Sequence, residues 1–354
     1  MNKQLTQSRI RAVGLLLFCL ILFTVFSFSI SPSAVKGAEN DSLATELRRI
    51  LQTDTSGVAG ILFGRLDSLD AKTRIWTEGA IDKDSDLRLG CPTSKPCLAF
   101  IVLKEGIQIG ATIDRWFPED SGFTKSRLIT IKHLLLNSSG IRDYVPLIPI
   151  HPDSAITPMN SIDRAYRNQA LLFEPGTGFE YSNTNFNIIG RILELHTGKT
   201  VPQLFREYFG AYAASLRLDD GKGNYPRGYA DPWPYHWSSP GYAGGFIGDA
   251  ADAMRTLAFI AAQPEFETMT RWYAPDGSIS REVSGHLLGL GVFGESDFAG
   301  LGQAAVYEGD MGLCQMILAR VKGSVFCIYS SHNIGRPKLS ELFQKLVRIC
   351  ISKP

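Results

Sequence analysis

Cys91 and Lys95 have the residue types and spacing of a nucleophile and its base. A thiolate attacks carbonyl carbon, and residues four apart share one face of a helix. Pro96 argues against a helix through both, because the residue before a proline is pushed out of the α region. We therefore predict that the helix starts near Ser94 to Pro96 and leaves Cys91 outside. A disulfide, such as one with Cys97, or a small buried side chain is ranked ahead of catalysis.

Other patterns with catalytic or binding chemistry are missing from the sequence. No Cys-x-x-Cys occurs, and no two histidines are spaced as His-x-His or His-x-x-x-His, so no metal site is predicted. The chain has no Gly-x-Ser-x-Gly turn, and Gly198-Lys199-Thr200 lacks the leading glycine of a phosphate-binding loop. We predict no cofactor.

The most distinctive segment is 173–190, which reads FEPGTGFEYSNTNFNIIG. It resembles the Tyr-x-Asn region of the serine β-lactamase and penicillin-binding-protein family, in its class C β-lactamase, DD-peptidase and esterase branch. Segments 131–144 (IKHLLLNSSGIRDY) and 241–256 (GYAGGFIGDAADAMRT) resemble further elements of that family in the same order. The resemblance covers roughly 87–333, which is most of the predicted exported domain.

The resemblance implies roles for two side chains. Tyr181 would relay protons during acyl transfer, and the amide of Asn183 would hydrogen-bond the substrate and fix nearby side chains. Asn137 stands where the family commonly has a histidine. Ser138 and Ser139 are interpreted as turn residues, since no basic partner stands at a usable spacing.

The family's catalytic pair is a serine followed three residues later by a lysine, and this pair is missing at the expected place. The segment 87–95 reads LRLGCPTSK, so Cys91 stands where the serine should be and Ser94 where the lysine should be. Lys95 comes one residue late. Only Ser33 and Lys36 show the required spacing, and both lie in the predicted export segment.

The family's third element is a strand that starts with Lys-Thr-Gly or His-x-Gly, and 306–312 (VYEGDMG) is its counterpart here. Either Tyr307-Glu308-Gly309 or Asp310-Met311-Gly312 can be aligned with this motif, and neither begins with a basic residue. The resemblance implies that Tyr307, Glu308 and Gly309 bind substrate. Glu308 and Asp310 would disfavour a carboxylate substrate and oppose a developing oxyanion. Solvated edge residues are an equally good interpretation of the two acidic side chains.

The elements that must position these residues follow from the periodicity. We predict an amphipathic helix over 41–54 and a hairpin formed by 57–65 and 73–77. Further strand patterns occur near the C-terminal end of the chain, and the middle is mostly helical. We predict an α/β (α+β) fold of β-lactamase/transpeptidase type, in which helices flank an antiparallel sheet built from both termini. The predicted sheet unit comprises about 41–95 and 265–354, and the inserted, mostly helical subdomain about 96–264.

The N-terminus has the pattern of an export signal. Basic residues are followed by an uncharged apolar stretch over 12–30, and the best cleavage site follows Gly37. The apolar stretch is close to the roughly 20 residues that span a bilayer. We therefore predict that 1–37 is an export signal or a membrane anchor and that 41–354 is an extracytoplasmic domain.

The charge of the 354-residue chain is +1 and no dense Lys/Arg run occurs, so a nucleic-acid partner is not predicted.

Our leading hypothesis is that the protein is a relative of this family with lost or much reduced acyl-enzyme hydrolysis. Its cleft, centred on Tyr181 and Asn183, would bind a small molecule, a cell-wall peptide or a protein. The alternative is an active hydrolase or acyltransferase on a β-lactam, peptide or ester, with Cys91 and Lys95 as its rebuilt nucleophile and base. A third hypothesis is a domain that 12–30 merely tethers to a membrane.

Overall fold

The computed structural model describes residues 60–148, 155–223, 236–279, 287–311 and 314–352, together with Thr45, Glu46 and Arg49. The predicted export segment 1–37 lies outside these residues, and an expected helix over 41–54 falls almost wholly outside them. The described strands are β1 (Ile61–Leu66), β2 (Arg74–Glu78), β3 (Leu87–Arg88), β4 (Arg217–Leu218), β5 (Phe246–Gly248), β6 (Leu287–Gly289), β7 (Val292–Glu295), β8 (Ala304–Met311), β9 (Cys314–Val321) and β10 (Ser324–Ser330).

Along the chain, most of the described helices lie between the N-terminal strands β1 to β3 and the C-terminal strands β6 to β10. They are α1 (Cys91–Lys104), α2 (Ile131–Leu135), α3 (Pro158–Ala165), α4 (Asn183–Thr197), α5 (Val201–Phe209), α6 (Gly241–Gly244), α7 (Ala250–Ala261), α8 (Glu265–Met269) and α9 (Arg336–Ser352). Two short 3₁₀ turns occur at Glu119–Ser121 and Val145–Leu147.

The main sheet joins both ends of the described chain. Its seven strands are ordered β2-β1-β10-β9-β8-β7-β6, and every neighbouring pair is antiparallel. The register places Phe63 of β1 opposite Ile328 of β10. The predicted hairpin of β1 and β2, and the predicted sheet shared by N-terminal and C-terminal strands, are therefore confirmed. A second sheet has the order β3-β5-β4.

The inner strands are buried on both faces. Along β1, Ile61 and Phe63 pack with α9 in one apolar cluster, while Leu62 and Leu66 belong to the larger cluster that includes α1 and α7. Side chains alternate between the two faces of a strand, so this division follows directly from the sequence order. The sheet is the middle layer between helices, which is the predicted α/β architecture.

Helix α1 begins earlier than its sequence predicts. Its first residue is Cys91, and Pro96 lies inside the helix. The prediction that Cys91 lies outside the helix is wrong. A proline inside a helix removes one hydrogen bond, but here the helix is held by burial, since Leu98 and its neighbours through Val102 are 0% exposed. Gly90 precedes the helix with a φ of 59°, a conformation that favours glycine.

Among the residues that the structure describes, no helix has both the length and the apolar character needed to cross a bilayer.

Phe63 tests the packing of the sheet against α9. Its ring centroid lies 5.8 Å from that of Trp76 and 6.4 Å from that of Phe343. We expect Phe63→Ala to lower the free energy of unfolding by about 3 to 5 kcal/mol, because the cavity cannot collapse between two packed layers. Urea unfolding followed by circular dichroism measures the change. The control Leu195→Ala, at a side chain that is 46% exposed, should cost less than about 0.5 kcal/mol. Equal losses in both variants would contradict this account of the core.

Candidate active site

The first turn of α1 brings Cys91 and Lys95 together. Lys95 Nζ donates a hydrogen bond to Cys91 Sγ at 2.8 Å. The contact exists because the helix begins at Cys91, so that residues four apart lie on one face. Cys91 is partly exposed, and Cys91 and Cys97 are both free thiols. The preferred interpretation of Cys91 as a disulfide partner or a buried side chain is therefore wrong.

Lys95 is buried, with 4% of its surface exposed, and its amine has three acceptors. Besides the sulfur, Nζ donates to Asn183 Oδ1 at 2.8 Å and to the carbonyl of Ala243 at 3.0 Å. An ammonium group has three protons, so these contacts satisfy it fully. Ser94 stands at the position of the family's lysine, and its hydroxyl donates to the same Ala243 carbonyl at 2.6 Å. Its role in this geometry is to hold α1 against α6.

Tyr181 also contacts the sulfur, which in turn lies 3.6 Å from Asn183 Oδ1. The tyrosine hydroxyl donates to Cys91 Sγ at 3.3 Å, and Lys95 Nζ lies 5.1 Å from the centre of the tyrosine ring. The pKa of Tyr181 is raised well above its usual value. Burial is the largest cause, and the interaction with Cys91 is the next. The phenol therefore keeps its proton at neutral pH and acts as a donor. A thiolate at Cys91 would receive one hydrogen bond from Lys95 and one from Tyr181, at the positively polarised end of α1.

Asn137 holds the loop that delivers Tyr181. It is buried and has a φ of 56°, which asparagine tolerates better than most residues. Its Oδ1 accepts from the amide of Ser182 at 3.2 Å and from Asn185 Nδ2 at 3.1 Å, and its carbonyl accepts from the amide of Glu180 at 3.0 Å. These bonds fix the backbone on both sides of Tyr181. The residue at the family's histidine position is thus a structural anchor here.

Asp143 is a site residue that sequence reasoning missed. Its two carboxylate oxygens accept from the backbone amide and from the side-chain Nδ2 of Asn183, both at 3.1 Å. Burial raises the pKa of Asp143, and the hydrogen bonds from Asn183 oppose that shift. The carboxylate orients the amide so that Oδ1 faces Lys95. Asp143 lies in the quoted segment 131–144, but its partner is 40 residues away, and no local pattern signals the pair.

Strand β8 passes close to the nucleophile. A Cβ atom added to Gly309 would lie 2.4 Å from Cδ of Pro92 and 3.5 Å from the amide nitrogen of Cys91. Only glycine therefore permits this approach. Beyond Val306, β8 continues without β7 as a neighbour, so alternate backbone amides of this stretch face the edge of the sheet. The structure thus brings Gly309 to the site.

The other predicted residues of β8 differ in position. Tyr307 is 3% exposed and lies in the hydrophobic core, and burial raises its pKa. It shares a face of β8 with Gly309, the face that packs on α1, and the structure does not bring it to Cys91. Glu308 projects from the other face, where Arg336 Nε lies 3.9 Å from its carboxylate. Within the described residues, no group of three or more His, Cys, Asp or Glu side chains could hold a metal ion.

This arrangement contains the groups that acyl transfer requires. It has a nucleophile at a helix N-terminus, an amine in contact with it, a protonated phenol and an edge of backbone amides beside it. The sequence model of the Beta-lactamase family matches residues 93–293, which is more than half of the chain. The chain belongs to the beta-lactamase family. The resemblance of segment 173–190 to this family is thereby confirmed.

Known proteins similar to this member of the beta-lactamase family include a D-aminopeptidase from Cereibacter sphaeroides. It is 28% identical over 162 residues, which is 43% of this chain and 30% of that protein. The aligned part of this chain therefore spans less than a third of that curated relative.

Two solved structures share the fold of this beta-lactamase-family chain. The D-amino acid amidase from Ochrobactrum anthropi SV3 has a TM-score of 0.71 at 18% identity, over 88% of this chain and 99% of that one. The octameric penicillin-binding protein homologue from Pyrococcus abyssi has a TM-score of 0.70 at 17% identity, over 88% of this chain and 77% of that one. The predicted β-lactamase/transpeptidase-like fold is confirmed.

Asp143 should act as a positioning residue. We expect Asp143→Asn to slow acylation of Cys91 by roughly tenfold to a hundredfold, because the amide of Asn183 would lose its fixed orientation. The rate is measured by intact-mass spectrometry with an activated ester, alongside the unfolding midpoint. Asp163→Asn, which removes a surface carboxylate paired with Arg167, is the control and should acylate within twofold of wild type. An Asp143→Asn variant that reacts at the wild-type rate would refute the role.

Proposed function

We propose that the protein is a hydrolase or acyltransferase that acts on amide or ester bonds through Cys91. The observation that carries this proposal is the 2.8 Å contact of Lys95 Nζ with Cys91 Sγ, with Tyr181 on the same sulfur. A nucleophile and base within about 2.6 to 3.2 Å are what such an enzyme requires. We therefore prefer this function to our earlier leading hypothesis of ligand binding without hydrolysis, which stays a prediction.

The first half of the proposed reaction forms an acyl-enzyme. Lys95, as a neutral amine, takes the thiol proton and becomes the ammonium group that makes the three contacts described above, and the sulfur of Cys91 adds to the carbonyl carbon of the substrate. Backbone amides at the N-terminus of α1 and along the edge of β8 near Gly309 would donate to the oxyanion. The bond to the leaving amine or alcohol then breaks, and Lys95 returns the proton to the leaving group through the hydroxyl of Tyr181. A thioester on Cys91 remains.

The second half releases the acyl group. Water adds to the thioester carbonyl while the amine of Lys95, relayed by Tyr181, takes a proton from it. The carbon–sulfur bond breaks, the carboxylic acid leaves, and the thiol of Cys91 regains its proton. With an amine or alcohol in place of water, the same steps transfer the acyl group. Asn183 and Asp143 keep the lysine oriented throughout.

The substrate class that we propose is a small amide, ester or peptide, such as a derivative of a D-amino acid. The names of a relative and a structural neighbour, D-aminopeptidase and D-amino acid amidase, support this choice. A cell-wall peptide or a protein ligand remains among the proposed partners, and nucleic acid does not.

Intact-mass spectrometry tests the proposed nucleophile. Wild-type protein incubated with an activated ester should gain the mass of one acyl group, and Cys91→Ala should gain none because the attacking sulfur is gone. Cys97→Ala is the matched control, since it removes a buried thiol from the same helix and should still be acylated. Lys95→Met should slow acylation at least about 100-fold, within the range expected for a lost general base.

A single outcome would reject the proposal. If wild type and Cys97→Ala both remain unmodified and release no carboxylic acid from the ester above the rate of Cys91→Ala, while circular dichroism shows them folded, Cys91 does not attack acyl groups. Calorimetric titration with D-amino acid amides, in wild type and in Asn183→Ala, would then test the binding-only hypothesis.

We also propose that residues 1–37 direct export or anchor the domain in the membrane, so that the site lies outside the cytoplasm. The basic start and the apolar stretch 12–30 support this. Expression of the full chain in a bacterium, followed by fractionation, should place the protein in the periplasm or the membrane. Terminal sequencing would show whether cleavage follows Gly37. An intact chain found wholly in the cytosol would contradict export.

A further inference from the structure

Beside the nucleophile lies a surface of aromatic rings that the proposed chemistry does not use. Phe293 of β7 lies with its ring centre 6.3 Å from that of Tyr181 and 6.3 Å from that of Phe179. Phe179 and Phe293 are each only half-buried, although both pack against the main core. The tyrosine is the side chain that contacts Cys91 Sγ. The aromatic surface is therefore directly continuous with the reacting sulfur.

A small cavity with an apolar lining lies between Lys95 and Phe293, but it belongs to the core. Its walls include Phe186, Val292 and Leu288, which are buried, and it has room for about one water molecule. Phe179 and Phe293, in contrast, are partly exposed beside the polar reaction centre. Exposed apolar side chains in such a place are typical of ligand sites, because a ligand gains free energy by covering them.

We propose that Phe179 and Phe293 form an apolar subsite, which binds an aromatic or branched aliphatic group lying within a few bonds of the scissile carbonyl. The proposal rests on the function assigned to Cys91 and narrows its substrates to amides and esters with such a substituent. Phe293 is the specificity-determining residue, because its ring lies next to both Tyr181 and Phe179 and so joins the subsite to the side chain that contacts Cys91. A substrate with only a methyl group at that position would leave both rings uncovered.

The test uses alkylation of Cys91, which needs the thiol but no turnover. Rate constants are measured by intact mass for chloroacetamide and N-benzyl-chloroacetamide, each divided by its rate with free cysteine. Wild type should prefer the benzyl reagent, and Phe293→Ala should reduce that preference roughly tenfold, as expected for a lost apolar contact. Tyr212→Ala, which removes an exposed aromatic ring stacked on Phe259, is the control and should keep the preference.

Two results would overturn the proposal: equal reaction of wild type with both reagents, or a preference that Phe293→Ala leaves unchanged. Phe179→Leu provides a second variant if Phe293→Ala does not fold, and it should also reduce the preference. Failure of the proposed hydrolase function gives a different pattern, in which the benzyl preference is present but no ester acylates Cys91. The two proposals therefore fail separately.

Discussion

Burial of the lysine amine imposes the strictest constraint on this structure. A charged amine that is 4% exposed is costly unless each of its protons has an acceptor. The three acceptors of Lys95 come from α1, α4 and the short helix α6, and the second of them, Asn183, is itself fixed by Asp143. Three separate elements must therefore converge to within hydrogen-bonding distance of one atom. The arrangement of the helical part follows from this requirement.

The same constraint explains how a shifted lysine can still contact the nucleophile. Moving from a spacing of three residues to four keeps both side chains on one helix face, because both spacings approximate one turn. Ser94 stands at the position where the family has its lysine. Its hydroxyl donates to the carbonyl of Ala243, which also accepts a hydrogen bond from Lys95. The loss of the family pattern in sequence therefore does not remove the contact in space. Geometry, rather than the motif, decides what chemistry is available.

The fold was largely predictable and the site only partly so. Near-continuous apolar residues in β1, β9 and β10 produce two buried faces, so a central sheet shared by strands from both ends of the chain followed from the pattern. The start of α1 was mispredicted because the local preference of Lys95 before Pro96 is outweighed by packing and by the bonds that its amine makes. Asp143 could not be found because its role depends on an amide 40 residues away. Local rules predict elements, whereas long-range contacts assemble this site.

The separation of the acceptors along the chain has a consequence for folding. The amine of Lys95 contacts Cys91, Asn183 and Ala243, so the complete set of bonds requires α1, the start of α4 and α6 to be in place together. A partly folded chain has the thiol but not the environment that activates it. The three contacts that surround the sulfur therefore form only when these segments have packed together. Acyl transfer at Cys91 would thus depend on completion of the native state rather than on any one local element.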